Sequence, residues 1–181
     1  MSGNRIPGAE LQSLSQPQTL RRQLGPDLQN RRDSKPSYPT AGAGPRPVVV
    51  VGCGRTGAAI ATAMSETGST VKIIDVSVAA FDLLHTGLIE DGQIVPIIGD
   101  GTLESDLRKA SAQDADILIA VSGKDAANAM SAQIAHHILG VPRVICRLSD
   151  PVLEEMYKGL DLTTVSPTGL VSDLILSAAI G

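Results

Sequence analysis

The chain has 181 residues with 19 acidic and 15 basic side chains, 11 prolines, two cysteines and three aromatics, a length that suits one compact domain. Its net charge of −4 argues against nucleic acid as a main partner, because phosphate binding needs clustered Lys and Arg and no such stripe follows Arg46. No apolar run reaches the length of a membrane span, and the N-terminus lacks the apolar stretch of a secretory signal, so a cytosolic protein is expected.

Residues 1–47 hold seven of the eleven prolines and seven basic groups against three acids. With Leu11, Leu14, Leu20 and Leu24 as its only recurrent apolar positions, this stretch is expected to be a largely disordered tail. A short helix around Leu20–Leu24 is bracketed by Pro17 and Pro26. The Arg-rich, acid-poor character also resembles a transit peptide, and it leaves room for contact with an anionic membrane surface. The remaining 134 residues carry sixteen acids and eight basic groups, so the folding part is acidic.

From Val48 onward, strand-like and helix-like runs alternate. Val48–Val51 is a continuous β-branched run ended by glycine, the pattern of a strand buried on both faces of a parallel sheet. Ala-rich Arg55–Glu66 follows as a helix. Then come Val71–Asp75 with Val78–His85, Ile94–Ile98 with Leu103–Lys109, and Asp116–Val121 with Ala126–Leu139. Arg143–Leu148 with Val152–Lys158, and Leu162–Val165 with Gly169–Ala179, complete the series. Six such pairs predict right-handed βαβ crossovers and a Rossmann-like, doubly wound, parallel six-stranded sheet. Pro96 cannot donate to a ladder, so the third strand belongs at an edge, which the order 3-2-1-4-5-6 provides.

Directly after the first strand stands Gly52-Cys53-Gly54-Arg55-Thr56-Gly57, a GxGxxG opening a helix. Gly52 would permit the tight turn, Gly54 would let backbone approach a pyrophosphate, and Gly57 would let helix and strand pack closely. Phosphates would then meet the positive end of the first helix. Asp75 ends the second strand, where a carboxylate can accept hydrogen bonds from both ribose hydroxyls. The same carboxylate would face a 2′-phosphate, which disfavours NADP and leaves NAD(H) or ATP/ADP. Arg55 could pair with a terminal phosphate or simply face solvent in the first helical turn. Asp100-Gly101-Thr102 after the third strand, Ser122-Gly123 after the fourth and Arg147 ending the fifth could complete the crevice. Each has a plain structural alternative as a helix cap, a turn or a surface cation.

Cys53 and Cys146 stand far apart with no CxxC spacing, which fits reduced thiols, and neither looks reactive. His85, His136 and His137 lack the spacing that places two imidazoles on one metal, so no metal site is expected.

Over Val48 to about Ala179 the chain resembles the RCK N-terminal domain, also called the KTN or TrkA-N domain, of potassium channel and transporter regulators. The resemblance lies in VVVVGCGRTG, VKIID ending on Asp75, IIGDGT over Ile97–Thr102 and DADILIAVSGKDAANAM over Asp114–Met130. It continues through VPRVICRLSDP over Val141–Pro151 and DLTTVSP over Asp161–Pro167. It implies a non-catalytic nucleotide sensor, a homodimer or higher ring, whose geometry follows bound ATP, ADP or NAD(H). Such a regulator would be cytoplasmic, peripheral to the membrane through an integral-membrane potassium channel or transporter subunit. By this resemblance Gly52–Gly57 would hold phosphates and Asp75 the ribose. Asp100 and the Val121–Ser122 turn would lie near the base and its ribose, and Arg147 would complete the pocket. Some members carry a glutamate after the final strand's proline to help bind a divalent cation, whereas this chain has Thr168. Family regulators usually continue into a second, C-terminal lobe; a chain ending at Gly181 reads as a single-lobe regulator or a truncated one. In the family the last helix crosses to a partner, so Leu170, Leu174 and Ala178, flanked by Val171 and Ile175, are expected either at a subunit contact or on the chain's own sheet.

The rival from another class is a small NAD-dependent oxidoreductase, and a nucleotide-binding module of unrelated purpose is a third reading. An oxidoreductase needs an acid or base at the nicotinamide. Tyr157 is followed by Lys158 rather than standing in a Tyr-x-x-x-Lys pair, and no Walker Gly-Lys-Ser/Thr exists for ATP hydrolysis.

Overall fold

The structure is a computed structural model and describes residues 46–157 and 162–180. The tail, with its helix around Leu20–Leu24, lies outside the described residues apart from Arg46 and Pro47. Six strands form one parallel sheet in the order β3-β2-β1-β4-β5-β6. They are β1 (Pro47–Val51), β2 (Thr70–Asp75), β3 (Ile94–Ile98), β4 (Ile117–Ala120), β5 (Arg143–Arg147) and β6 (Thr163–Val165). Pro47 opens β1 at the position where a missing N–H costs no ladder bond. Pro96 lies opposite Ile73 on β3, which pairs only with β2, so the proline's edge position is as expected.

Alternation along each strand divides the core in two. Val49, Val51, Ile74, Leu118 and Ala120 face one apolar cluster, and Val48, Val50, Val71, Ile73, Ile117 and Ile119 face the other. Both sides are covered, which is why the sequence shows unbroken apolar runs rather than alternation. Helices α1 (Arg55–Glu66) and α2 (Thr86–Glu90) cover the second cluster through Ala58, Ala61, Leu88 and Ile89. Helices α3 (Glu104–Lys109), α4 (Asp125–Gln133) and α5 (Pro151–Tyr157) cover the first through Leu107, Ala129, Ala132 and Leu153.

Three elements depart from the sequence reading. The expected helix Val78–His85 is a 3₁₀ segment over Val78–Leu83, and the α-helix of that crossover is α2. Leu84 and His85 are both extended, with ψ of 146° and 121°, because burying Leu84 beneath the turn requires the chain to leave helical geometry there. The expected helix Ala126–Leu139 is α4 continued by a π-helical turn over Ile134–Ile138, in which the Leu139 N–H donates to the Ile134 carbonyl at 3.0 Å. The wider turn keeps Ile134, Ala135 and Leu139 all buried in one cluster, after which Gly140 ends the helix at φ 69°. The last helix, α6 (Pro167–Ile180), begins two residues early because Ser166 caps it, accepting from the Gly169 N–H at 3.3 Å, and Pro167 occupies the first-turn position that needs no N–H. None of its residues is buried; Leu170, Leu174 and Ile175 are 58%, 56% and 62% exposed.

Candidate functional site

The site begins where β1 ends. Gly52 adopts φ 97°, its N–H donates to the Ile74 carbonyl at 2.8 Å, and a side chain on it would meet Ser122 Cα at 2.7 Å. A side chain on Gly57 would collide with the Gly52 carbonyl. Both glycines are therefore dictated by the fold itself. Gly54 is different, because it has ordinary φ of −74° and, beyond its chain neighbours, none of the described residues lies within 4 Å of where a Cβ would stand. It precedes α1 without a side-chain cap, so the helix presents its first-turn N–H groups at an open position.

Asp75 ties the glycine loop to β2. Its Oδ2 accepts from the Cys53 N–H at 2.7 Å and its Oδ1 from the Ser77 N–H at 2.9 Å. Each carboxylate oxygen keeps a lone pair for a further donor. The Cys53 thiol points the other way, into the second cluster, and donates to the Ala80 carbonyl at 3.4 Å. Burial, with the charge of Asp75 adding, pushes its pKa up to about 11. The thiol is therefore held protonated and is a poor nucleophile.

Two more loops close the site. After β3, Asp100 Oδ1 accepts from the Thr102 hydroxyl at 2.7 Å and the Thr102 N–H at 2.9 Å, and these bonds hold the Asp100 carboxyl below its ordinary pKa. The Asp100 N–H donates to Asp106 Oδ2 at 2.9 Å, and the Ser131 hydroxyl is placed to donate to the Gly101 carbonyl at 2.8 Å. A side chain on Gly101 would run into Val51. After β4, fully buried Asn128 accepts from the Ser122 N–H at 2.7 Å and donates to the Ser122 and Arg147 carbonyls, both at 3.0 Å. Asp125 Oδ2 accepts from the Ser149 and Asp150 N–H groups at 2.8 Å, tethering the turn after β5. Arg147 donates from Nη2 to the Ser149 hydroxyl at 3.3 Å, and its Nε is buried without a hydrogen-bond partner among the described residues.

Between these loops, at the carboxyl ends of β1 to β4, lies a cleft of about 610 Å³. Of the residues expected from sequence it gathers Gly52, Asp75, Asp100, Gly101, Thr102, Ser122 and Gly123 on its walls. Cys53, Gly54, Arg55, Thr56, Gly57, Val121 and Arg147 are not part of that lining. Cys53 and Val121 are buried in the second cluster and Gly57 lies under Gly52. Arg55 is exposed beside Ala59, Thr62 and Leu83 in a shallow groove along α1. The sequence did not point to Val51, Ile74, Val76, Gly99, Lys124, Ala127 or Ser131 as wall residues. Lys124 carried the one available signal, since it is a basic residue in a strand-end loop of an acidic domain. No group of three His, Cys, Asp or Glu that could hold a metal occurs among the described residues.

With this geometry in place, comparison with known proteins is decisive for the family: the model of the TrkA-N domain matches residues 48–167. The chain belongs to the TrkA-N domain family. Curated relatives of this TrkA-N domain include the Trk system potassium uptake protein TrkA of Streptomyces coelicolor, 34% identical over 129 residues that make up 71% of this chain and 56% of that protein. Another is the TrkA homolog of Methanothermobacter thermautotrophicus, 32% identical over 63% of this chain and 51% of the relative. The chain thus spans about half the length of these relatives. Among solved structures, the TrkA-N domain of the inner membrane protein ybaL from Escherichia coli superposes with a TM-score of 0.64 at 16% identity, covering 74% of this chain and 96% of that one. The AMP-bound Kef CTD of Shewanella denitrificans gives 0.61 at 20% identity, with 74% and 80% covered. At such identities the likeness establishes the Rossmann-like fold.

Proposed function

We propose that this TrkA-N domain is a non-catalytic, nucleotide-sensing regulatory module of a potassium transport system, taking NAD(H) or ATP/ADP in the cleft between β1 and β4. The observation that carries the reading is Gly54. Among the described residues neither its backbone angles nor a neighbour beyond the adjoining chain requires a glycine there, which supports a ligand that approaches the backbone at the start of α1. Gly52–Gly57 and the helix N-terminus would hold phosphates. Asp75, already oriented by two N–H donors, would take the ribose hydroxyls and exclude NADP. Asp100, Thr102 and the Val121–Ser122 turn would border the base and its ribose, with Arg147 behind them. The potassium-uptake names of the relatives support the physiological setting, a cytoplasmic regulator bound peripherally to an integral-membrane channel or transporter subunit.

Among the described residues, the cleft walls carry two carboxylates and one lysine but no His, Tyr or Cys to exchange a proton with a nicotinamide substrate, which favours sensing over an oxidoreductase. Bound nucleotide would bias one dimer geometry through contacts that differ between the two geometries. The test is thermal unfolding of the full chain with ATP, ADP, NAD, NADH and NADPH. At a hundred times its dissociation constant, a ligand adds about 2.7 kcal/mol and moves the melting temperature by several degrees. One or two adenine nucleotides other than NADPH should do so, and the shift should vanish in Asp75→Ala. Sedimentation of the same samples should show a dimer or larger ring whose coefficient changes with the effective ligand. A flat response to all five nucleotides removes the sensing reading.

A further inference from the structure

We infer that Lys124 is the phosphate-selecting residue of the cleft, so that the site discriminates nucleotides by the charge of their phosphoryl chain. The inference rests on the nucleotide reading above and assigns a role to a residue outside the glycine loop.

Lys124 stands in the loop after β4, at the position immediately before α4, with an extended backbone at φ −124° and ψ 113°. Among the described residues it is the one cation lining the cleft, whose walls also carry the carboxylates of Asp75 and Asp100. The two acids are already engaged. Asp75 accepts two N–H donors, and Asp100 Oδ1 accepts both donors of Thr102. The Lys124 ammonium, by contrast, makes no hydrogen bond or ion pair with the described residues, although its charge reaches Asp100 and helps to lower that carboxyl's pKa. Three unspent N–H donors on a cleft wall suit an anionic group of a ligand.

The backbone around it is held while the side chain is free. Asn128 fixes Ser122 on both its N–H and its carbonyl, and its own N–H donates to the Lys124 carbonyl at 3.0 Å. The wall therefore supplies a fixed origin for a flexible cation. Arg55, the arginine of the glycine loop, lies outside the lining, so it does not duplicate this charge within the cleft. Without Lys124 the charged groups of the described lining would be Asp75 and Asp100 alone, and each further phosphate on a ligand would meet net repulsion.

Calorimetric titration of the full chain with adenosine, AMP, ADP, ATP and NAD, for wild type, Lys124→Ala, Lys124→Arg and Asp75→Ala, tests this. Lys124→Ala should weaken the phosphate-bearing nucleotides roughly tenfold or more and leave adenosine within about twofold. The loss should grow from AMP to ATP, Lys124→Arg should restore most of it, and added salt should weaken wild type more steeply than Lys124→Ala. Asp75→Ala should weaken adenosine as well as the nucleotides. Unfolding curves of each variant confirm that the exposed lysine is not needed for folding. If nucleotides bind wild type and Asp75→Ala reduces them but Lys124→Ala does not, the role of Lys124 is wrong and the nucleotide reading stands. If wild type binds none of the five ligands, both fall together.

Discussion

Two glycines three residues apart, Gly54 and Gly57, illustrate how a binding motif divides between folding and function. A methyl group at Gly57 meets the Gly52 carbonyl, a backbone atom that can move only by displacing the end of β1. At Gly54 the same methyl meets nothing. Gly57→Ala should therefore destabilise the chain by roughly 2 kcal/mol or more, as overpacking against backbone does. Gly54→Ala should cost less than about 1 kcal/mol, the difference between glycine and alanine at a helix cap, yet weaken nucleotide binding at least tenfold. Urea unfolding beside calorimetry separates the two effects, and equal losses of stability in both variants would contradict this division. Ser111 marks another residue where local geometry and contacts compete. It is the one non-glycine residue at positive φ among those described, at 55°, and its hydroxyl accepts from the Lys72 ammonium at 2.7 Å. The hydrogen bond offsets part of the cost of the left-handed backbone at the end of α3.

At the scale of elements, the Asn128 side chain joins the loop after β4 to the end of β5. Asn128 is fully buried, and its amide satisfies the Ser122 N–H and two carbonyls, one in the loop after β4 and one at the end of β5. Asn128→Ala would leave those groups without partners in a dry interior, at about 1–3 kcal/mol for each group that water cannot reach. The expected outcome is a loss of roughly 3 kcal/mol, or about 10 °C in melting temperature, together with weaker nucleotide binding because Ser122 loses its anchor. Asn128→Asp keeps the acceptor for the Ser122 N–H but removes both donated bonds and buries a charge, so it should rescue little. A melting temperature within 2 or 3 degrees of wild type in Asn128→Ala would mean that water replaces the amide.

This clamp also shows what a sequence can disclose. The glycine motif, the acid ending β2 and the edge position of Pro96 are local signals with fixed spacing, and each predicts its place in the sheet. Asn128 sits among alanines in DAANAM, where nothing local says whether an amide faces water or carbonyls from another loop. Lys124, in the loop after β4, and Ser131, on α4, reach the cleft because parallel strands bring the loop after β3 beside them, a proximity that no spacing encodes. The 3₁₀ segment and the π-helical turn escaped for a related reason. Both keep helix-compatible composition and are selected by where Leu84 and Leu139 must be buried.

For the molecule as a whole, the two thiols make stability depend on pH in a direction set by their burial. Desolvation first, and a nearby carboxylate second, push Cys53 up to about 11 and Cys146 up to about 12, from the ordinary 9.0. A raised pKa in the folded state means that folding favours the protonated thiol. The contribution is therefore complete below the unfolded value near pH 9. It declines as unfolded thiols ionise above that pH, and it is gone once the folded values are passed. At about 1.4 kcal/mol per unit of difference, each thiol should remove roughly 2 kcal/mol of stability by about pH 11. Asp100 works in the opposite direction: its lowered pKa adds stability above the ordinary carboxylate range, lost as the pH falls through the folded value. The alkaline limb is the sharper test, because Lys and Tyr titrate mainly above the range in which it begins. Urea unfolding at intervals from about pH 8 to 10.5 should show wild type losing stability throughout, whereas Cys146→Ala, less stable at the start, should decline along a shallower slope. Parallel curves would mean that Cys146 ionises without opposing the fold. Because the same protonated state makes a thiol unreactive, iodoacetamide at pH 8 should label neither cysteine in the native chain and both after denaturation.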